Sequence, residues 1–492
     1  MKGDIKNSVT KVMIVFLFLL IALISYMAYF QVFKAPKISE MPGNQRSWAK
    51  RNEVLRGEIK DRDGNVIAKS VREKNNTQKR EYEYGALYAH PIGYVDSRFG
   101  ISGLENSYDK QLTTCTSSSF NELLHNFSID NLKKAFENRN NDKNKIGNTV
   151  ITTLDTNLQK IAYNALGNNR GAVVALNPKT GEVIASVSKP SFNPNNLEAE
   201  MKKANSGDKL NSPLMNRVTA GRYPPGSTFK IITTASALEN IPDVTGKTFN
   251  DSGEIKFQDG KNLANAGGAS YGNIDLRKAF IVSSNVVYGT LAMQLGNDKL
   301  LKTAENFGFN SQIPANGFTI SPSEFPKLES YQIGDIARSG IGQASILATP
   351  IQMALATSAV ANNGVIMEPQ LVKSVVDDKG KTVETMKSKE YRKAMTEGQA
   401  TIIKGYMQGL VQKNVKSGKW SFFDGINAAG KTGTADHNNA DGSPATPHSW
   451  FVGFAPANDP KIVVAVIVEE GGFGAGKAAT VAGKVMNSEL NK

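Results

Sequence analysis

The chain is 492 residues long, carries a formal net charge of +13, and contains 40% hydrophobic and 21% charged residues. This composition is typical of globular domains with a sizeable core, and the length suits roughly two to four domains. The lysines are scattered and no compact basic block with interleaved aromatics is present, so nucleic-acid binding is not expected. The single cysteine, Cys115, excludes an intramolecular disulfide bond, and the four histidines lack metal-ligand spacing, so neither a metal nor another cofactor is predicted.

The first predicted element is a membrane span. Residues Val12 to Phe30 are almost continuously apolar, and at about 1.5 Å per residue they are long enough to cross a hydrocarbon core. We predict a leader over 1–11 and an anchor over 12–33. The leader has three lysines against one aspartate, which keeps the N-terminus cytoplasmic and places the rest of the chain outside the cell. The alternative is a cleaved signal peptide, but the apolar stretch is long and no small-residue cleavage site follows it.

A small N-terminal domain is predicted between the anchor and about residue 150. The turn signal Asp63-Gly64 lies between alternating segments in residues 56–68, a pattern that predicts a hairpin. Residues 130–148 lose their apolar periodicity and fill with asparagine and lysine, as surface linkers do. We therefore predict one domain over 34–150 and a second over 151–492.

Strand and helix patterns fill the second domain. Residues 148–166 predict a strand running into a helix, and residues 171–188 predict a hairpin across an Asn-Pro-Lys-Thr-Gly turn. A further strand is predicted over 461–470 and a closing helix over 477–492. Together these elements predict a strand-rich sheet with helices packed on it, in the α/β or α+β class.

Ser227 and Lys230 are the first candidate catalytic pair. Ser-x-x-Lys occurs six times in the chain, so the pair alone is weak evidence. Two prolines and a glycine block a helix before Ser227, and apolar residues at helical spacing follow it, so both side chains lie on one face at a helix start. A buried lysine beside other cations loses its proton easily and can activate a serine hydroxyl. The alternative is a helix cap followed by a solvent-exposed lysine.

A nucleotide-binding pattern also occurs, because residues 425–432 match G-x-x-x-x-G-K-[ST] in full. Phosphate binding by this motif needs a helix directly after the loop, whose N-terminal N–H groups hold the phosphates. The residues that follow Thr432 have the composition of a loop, and the predicted topology places them outside the cell. We therefore do not expect nucleotide binding here.

Two further elements follow Ser227 in a fixed order. Ser283-Ser284-Asn285 lies at the edge of an apolar, helix-like segment, and Lys431-Thr432-Gly433 lies nearer the C-terminus. With Ser227-x-x-Lys230, they resemble the three elements of the penicillin-binding protein and serine β-lactamase superfamily. Further segments resemble class B penicillin-binding proteins from about residue 56 to the C-terminus, among them RGEIKDRDGNVIA, GISGLENSYDKQL, RYPPGSTFK, GIGQASILATPIQMA and HSWFVGFAP. One departure is Ala344, where the family usually has glycine.

The resemblance implies a penicillin-binding transpeptidase fold. Such a fold has a central, mostly antiparallel sheet with helices on both faces, an all-helical subdomain and a small N-terminal pedestal. It further implies cross-linking of D-Ala-D-Ala stem peptides through a serine acyl-enzyme, sensitivity to β-lactams, and a glycosyltransferase or other wall-synthesis protein as partner. The catalytic positions it implies are Ser227, Lys230 and Ser283, and the substrate-binding positions are Asn285, Lys431, Thr432, Gly433 and Thr434.

Three alternatives stay open at the sequence level. A D,D-carboxypeptidase or a β-lactamase would hydrolyse the same acyl-enzyme, and a scaffold of a wall-building complex would not need catalysis. The stretch between anchor and residue 150 is too short for a glycosyltransferase domain beside a pedestal, which favours a monofunctional enzyme.

Overall fold

The computed structural model of the protein describes residues 2–35, 45–73, 77–115, 145–206, 211–258, 262–439 and 441–492. Most of the linker predicted over 130–148 therefore lies outside the described residues. Strands in the described part of the chain are β1 Ile59–Lys60, β2 Val66–Arg72, β3 Gln78–Tyr82, β4 Val95–Asp96, β5 Gly100–Ile101, β6 Thr149–Thr152, β7 Gly171–Leu176, β8 Val183–Lys189, β9 Thr248–Asp251, β10 Glu254–Ile255, β11 Leu263–Ala264, β12 Gly272–Asp275, β13 Val365–Met367, β14 Val372–Val376, β15 Thr382–Thr385, β16 Glu390–Lys393, β17 Ala429–Ala435, β18 His448–Ala455 and β19 Ile462–Val468.

The α-helices of the same ranges are α1 Lys2–Tyr29, α2 Gln45–Asn52, α3 Ala89–Ile92, α4 Gly103–Ser107, α5 Asp109–Leu112, α6 Thr156–Leu166, α7 Leu197–Ala204, α8 Lys230–Asn240, α9 Leu276–Val282, α10 Asn285–Asn306, α11 Ile333–Ser339, α12 Pro350–Ala361, α13 Glu397–Lys416 and α14 Lys477–Leu490. The first of them, with the turn Phe30–Lys34 that continues it, is long and apolar enough to cross a membrane, and none of its apolar stretch is buried against the rest of the protein. The span predicted over 12–33 falls within these residues.

The central sheet has five antiparallel strands in the order β17-β18-β19-β7-β8. Every residue of β19 is buried, as its continuous apolar sequence IVVAVIV predicts for a strand covered on both faces. Val464 and Val466 pack in one cluster with α6 and α14, whereas Val463 and Ala465 pack in another with α12. The predicted fold class, a sheet with helices on both faces, is confirmed.

A helical layer lies beside the sheet and carries the start of α8 to its edge. Helix α8 packs against α10 and α13, and α10 packs against α11. The layer also carries two short antiparallel pairs, β9 with β12 and β10 with β11, so the subdomain expected to be all-helical includes some strand. Asp251, at the end of β9, accepts a hydrogen bond from the backbone N–H of Gly253 at 3.0 Å, which closes the turn between β9 and β10.

A second sheet joins chain segments from both sides of residue 150. Its order is β15-β14-β6-β1-β2-β3, and β1 and β2 form the hairpin predicted from Asp63-Gly64. Strand β6 lies parallel to β1, with Val150 opposite Ile59, and antiparallel to β14 on its other side. The division predicted between 34–150 and 151–492 therefore falls within one strand, β6, of a continuous sheet.

Candidate active site

Ser227 lies in a tight turn that two neighbouring segments hold in place. The 3-10 turn Gly226–Phe229 precedes α8, and Gly226 has φ 54, a left-handed conformation that glycine adopts without strain. A Cβ on Gly226 would come within 2.6 Å of the Thr434 carbonyl oxygen, so the turn touches the backbone of β17. On the other side, Gly226 N–H donates to the Gly342 carbonyl at 2.9 Å. The turn that carries Ser227 is thus held between strand β17 and the loop that contains Gly342.

Lys230 is the first residue of α8, one turn after Ser227, and its side chain is completely buried. Its Nζ lies within hydrogen-bonding distance of three oxygens, the Ser283 carbonyl at 2.8 Å, Ser283 Oγ at 3.2 Å and Asn285 Oδ1 at 2.8 Å. Ser227 is half-buried, and among the described residues its hydroxyl has no hydrogen-bond partner. Contacts between a nucleophile and its base commonly tighten only when substrate binds, so the absence of a Ser227–Lys230 hydrogen bond does not argue against this pair.

Ser283 is the point where two lysines meet. Lys431 Nζ donates to Ser283 Oγ at 2.9 Å, and Lys230 approaches the same oxygen from the other side. Ser283 itself has φ 59 and ψ 40, a left-handed conformation that is uncommon for a residue with a Cβ. Three segments far apart in the chain therefore converge on one hydroxyl.

The electrostatics of the cluster favour the neutral form of the Lys230 amine. Burial lowers the pKa of Lys230 well below its ordinary range, the charge of Lys431 lowers it further, and Asp251 opposes both effects. Burial also lowers the pKa of Lys431 to about 7. The Tyr288 ring lies 5.2 Å from Lys230 Nζ. A buried amine that gives up its proton near neutral pH can serve as a general base for a serine hydroxyl.

The Lys-Thr-Gly element lies on strand β17 and lines the site with its backbone. Lys431 is buried, whereas Thr432 and Thr434 are half-buried, and Thr434 Oγ1 accepts a hydrogen bond from Gly474 N–H at 3.3 Å. A Cβ on Gly433 would come within 2.8 Å of the Pro225 carbonyl oxygen, so only glycine lets this strand approach the Ser227 turn. The match to the nucleotide-binding pattern therefore ends in strand β17, and the described residues that follow, up to 439, form no helix that could bind phosphates.

The structure also adds residues that the sequence did not single out. Asp251, Asn265 and Ser284 form a buried hydrogen-bonded group behind Ser283 and Asn285. Ser284 belongs to a motif that the sequence revealed, but its partner Asp251 lies on β9, and no local pattern connects the two. Buried carboxylates are rare, yet burial cannot be recognised from a single aspartate in a turn-forming segment.

Two histidines stack at the end of β17. The imidazole rings of His437 and His448 lie 3.8 Å apart, and burial lowers the pKa of His448 to about 4. The backbone N–H of Glu470 donates to His448 Nδ1 at 3.1 Å, which is a structural contact. Within the described ranges, no group of three or more histidine, cysteine or acidic side chains could hold a metal ion.

Comparison with known families agrees with this geometry. Residues 171–487 match the penicillin-binding protein transpeptidase domain, and residues 56–135 match the penicillin-binding protein A dimerisation domain. The chain is 32% identical over 482 residues to peptidoglycan D,D-transpeptidase PbpA of Mycolicibacterium smegmatis, covering 95% of this chain and 94% of that protein. It is 31% identical over 450 residues to peptidoglycan D,D-transpeptidase MrdA of Acinetobacter baumannii, covering 83% of this chain and 65% of that protein.

Solved structures give the same result in three dimensions. The ceftriaxone acyl-enzyme complex of penicillin-binding protein A from M. tuberculosis superposes with a TM-score of 0.78 at 30% identity, covering 90% of this chain and 100% of that chain. The D,D-transpeptidase domain of a peptidoglycan glycosyltransferase from Eggerthella lenta gives 0.75 at 33% identity, covering 89% and 99%. The chain therefore belongs to the class B penicillin-binding proteins, the family of serine-type peptidoglycan D,D-transpeptidases.

Proposed function

We propose that Ser227 is the nucleophile that accepts the stem peptide and that Lys230 is its base. Lys230 Nζ takes the hydroxyl proton while Ser227 Oγ attacks the carbonyl carbon of the penultimate D-alanine. The observation that carries this proposal is the full burial of Lys230 one helical turn after Ser227, in contact with Ser283 and Asn285. Burial favours the neutral amine, which is the form that can accept a proton.

The same cluster of side chains assists the departure of the leaving group. As the tetrahedral intermediate collapses, the C–N bond to the terminal D-alanine breaks, and Ser283 passes a proton to the leaving amine. Lys431, hydrogen-bonded to Ser283 Oγ, supplies positive potential at this step. An ester of Ser227 remains. The amine of a neighbouring stem peptide then attacks this ester, forms the cross-link as a new amide bond, and regenerates the serine.

Substrate recognition is assigned to the two edges of the cleft. Asn285 holds the amide of the stem peptide, and Thr432 and Thr434 bind its terminal carboxylate beside Gly433. The backbone N–H groups of Ser227 and Thr434 form the oxyanion hole, a role supported by the contact between Gly226 and the Thr434 carbonyl. No nucleotide is needed, because the cleaved peptide bond supplies the energy.

The protein acts from the membrane surface in this proposal. The apolar helix anchors it with the leader in the cytoplasm and the catalytic residues outside, as the lysines of the leader favour. A glycosyltransferase or another wall-synthesis protein is the expected partner, since a monofunctional transpeptidase needs glycan strands made by another enzyme. The β-lactam adducts of the mycobacterial relatives support acylation of Ser227 by the same drugs.

Covalent labelling of the full-length protein by a fluorescent penicillin tests the nucleophile. Mass spectrometry of the labelled peptide is expected to place the adduct on Ser227, and Ser227→Ala is expected to abolish labelling. Ser107→Ala is the matched control, because Ser107 and Lys110 form another, exposed Ser-x-x-Lys pair. An adduct on another residue would refute the assignment.

A turnover assay separates transpeptidation from hydrolysis. Stem peptide with an added amine acceptor is expected to yield both free D-alanine and the cross-linked dimer. Free D-alanine without any dimer, even with acceptor in excess, would show a carboxypeptidase instead. A cell in which Ser227→Ala fully replaces the native protein would show that scaffolding is the required function.

A further inference from the structure

Asp251 is a fully buried carboxylate directly behind the active site. It accepts a hydrogen bond from Ser284 Oγ at 2.6 Å and two from Asn265 Nδ2, at 2.7 Å and 3.0 Å. The Gly253 N–H donates a further one at 3.0 Å. A buried carboxylate is tolerated only where donors replace its lost water, and here they come from three separate chain segments.

Two of the donors of Asp251, Ser284 and Asn265, link it to the catalytic turn. Ser284 stands between Ser283 and Asn285, and its Oγ also accepts from Val287 N–H to cap helix α10. Asn265 Oδ1 accepts from Asn285 N–H at 2.6 Å, and the Ala264 carbonyl accepts from Asn285 Nδ2 at 2.7 Å. Ser284 and Asn285 of the turn are therefore both hydrogen-bonded to this buried group.

The turn needs such support because of its backbone conformation. Ser283 has φ 59, and a residue with a Cβ stays in this region only where its surroundings determine the conformation. The Ser284 N–H donates to the Ala279 carbonyl at 2.9 Å, which fixes the start of the turn. The next fixed point is the bond from Ser284 Oγ to Asp251.

We propose that Asp251 is a positioning residue which, through Ser284 and Asn265, holds the turn that presents Ser283 and Asn285 to the two lysines. This inference rests on the proposed function of those residues. It assigns a role to the middle serine of the Ser-Ser-Asn element, whose hydroxyl points away from the lysines and into the buried network. Asp251 touches no reacting atom in this role.

The charge of Asp251 provides a signature that packing alone would not produce. The charged groups that act on Lys230 are Lys431, which lowers its pKa, and Asp251, which raises it. Replacing the carboxylate by an uncharged amide removes the opposing effect, so the pKa of Lys230 falls further. The acid limb of an acylation rate that depends on neutral Lys230 then moves to lower pH.

Acylation kinetics of the full-length protein with fluorescent penicillin, measured across pH, test the proposal. Asp251→Asn is expected to lower the plateau rate constant roughly ten- to hundredfold, because the catalytic turn shifts, and to move the acid limb to lower pH. Ser284→Ala keeps the carboxylate, so it is expected to lower the plateau and leave the limb in place. Asp155→Asn is the matched control, because Asp155 is a buried helix-capping carboxylate on α6 that does not contact the site.

The outcomes separate this inference from the proposed function. A native protein that is not labelled on Ser227 refutes the proposed function. A native protein labelled on Ser227, with Asp251→Asn matching it in plateau and acid limb, overturns the role of Asp251. A fall in the plateau rate constant of Asp251→Asn that is no larger than the fall in Asp155→Asn also overturns the role of Asp251. If Asp251→Asn fails to fold, Ser284→Ala still decides, because a native plateau rate in that variant overturns the link through Ser284.

Discussion

Replacing Gly342 tests most directly how the loop that contains it holds the Ser227 turn in place. Its carbonyl accepts the Gly226 N–H at 2.9 Å, and its own backbone has φ 76. A Cβ at this position would lie 2.1 Å from the Gly226 carbonyl oxygen and 2.7 Å from the Phe229 Cβ. Neither neighbour is the flexible end of a long side chain. In Gly342→Ala the turn that carries Ser227 therefore has to move.

The magnitude has two parts. A left-handed conformation costs a residue with a Cβ about 1–2 kcal/mol, and forcing a group into a filled space costs about 1–3 kcal/mol. We expect Gly342→Ala to lower the free energy of unfolding by about 2–5 kcal/mol. A displacement of the nucleophile by about 1 Å is expected to slow acylation roughly 100-fold.

Gly425→Ala separates the two parts. Gly425 has φ 78, but within the described ranges no atom lies within 4 Å of where a Cβ would be, so its variant carries the conformational cost alone. Chemical denaturation and the rate of penicillin acylation are measured on both variants. We expect Gly425→Ala to lose about 1–2 kcal/mol and to acylate at the native rate. If Gly342→Ala loses no more stability than Gly425→Ala and acylates normally, the packing of Gly342 against the turn is not what positions Ser227.

Two further predictions concern a charge and a backbone conformation. Burial lowers the pKa of Lys431 to about 7 from its ordinary 10.5, so between these values the unfolded chain binds more protons and stability rises with pH, by about 1.4 kcal/mol per unit. Lys431→Met is expected to reduce that slope by this amount in denaturation at a series of pH values, and an equal slope in both proteins would contradict the shift. Ala344 has φ 63, so Ala344→Gly is expected to raise the free energy of unfolding by about 1 kcal/mol; a less stable variant would show that the loop is not strained.

Much of the fold was predictable because its signals are local. The Asp-Gly turn between β1 and β2, the apolar run of β19 and the helix after Ser227 each follow from a few consecutive residues. The candidate catalytic residues were predictable for another reason. Three short motifs in a fixed order resemble those of a known family, and the structure brings Lys230, Ser283, Asn285 and Lys431 into one hydrogen-bonded cluster.

What the sequence did not reveal depends on contacts between distant segments. Asp251 meets Ser284 only because β9 folds back beneath the start of α10, and a lone aspartate in a turn carries no sign of burial. The contact of Gly342 with Gly226 joins residues more than a hundred positions apart. The pairing of segments from both sides of residue 150 in one sheet could not be predicted either, because the sequence of one strand does not identify the strand it pairs with.

That continuous sheet has a practical consequence for how the protein can be divided. Strand β6 lies between β1 and β14, so a fragment beginning at residue 151 would start in the middle of β6 and lack β1, β2 and β3. The backbone groups of β14 that pair with Thr149 and Val150 would lose their partners and leave an open edge, which is a template for aggregation. A soluble fragment for biochemistry should begin ahead of β1, at about Glu53, where the helix α2 has ended. The fragment that begins at about Glu53 would also show whether the segments before and after residue 150 unfold in a single transition, as their shared sheet predicts.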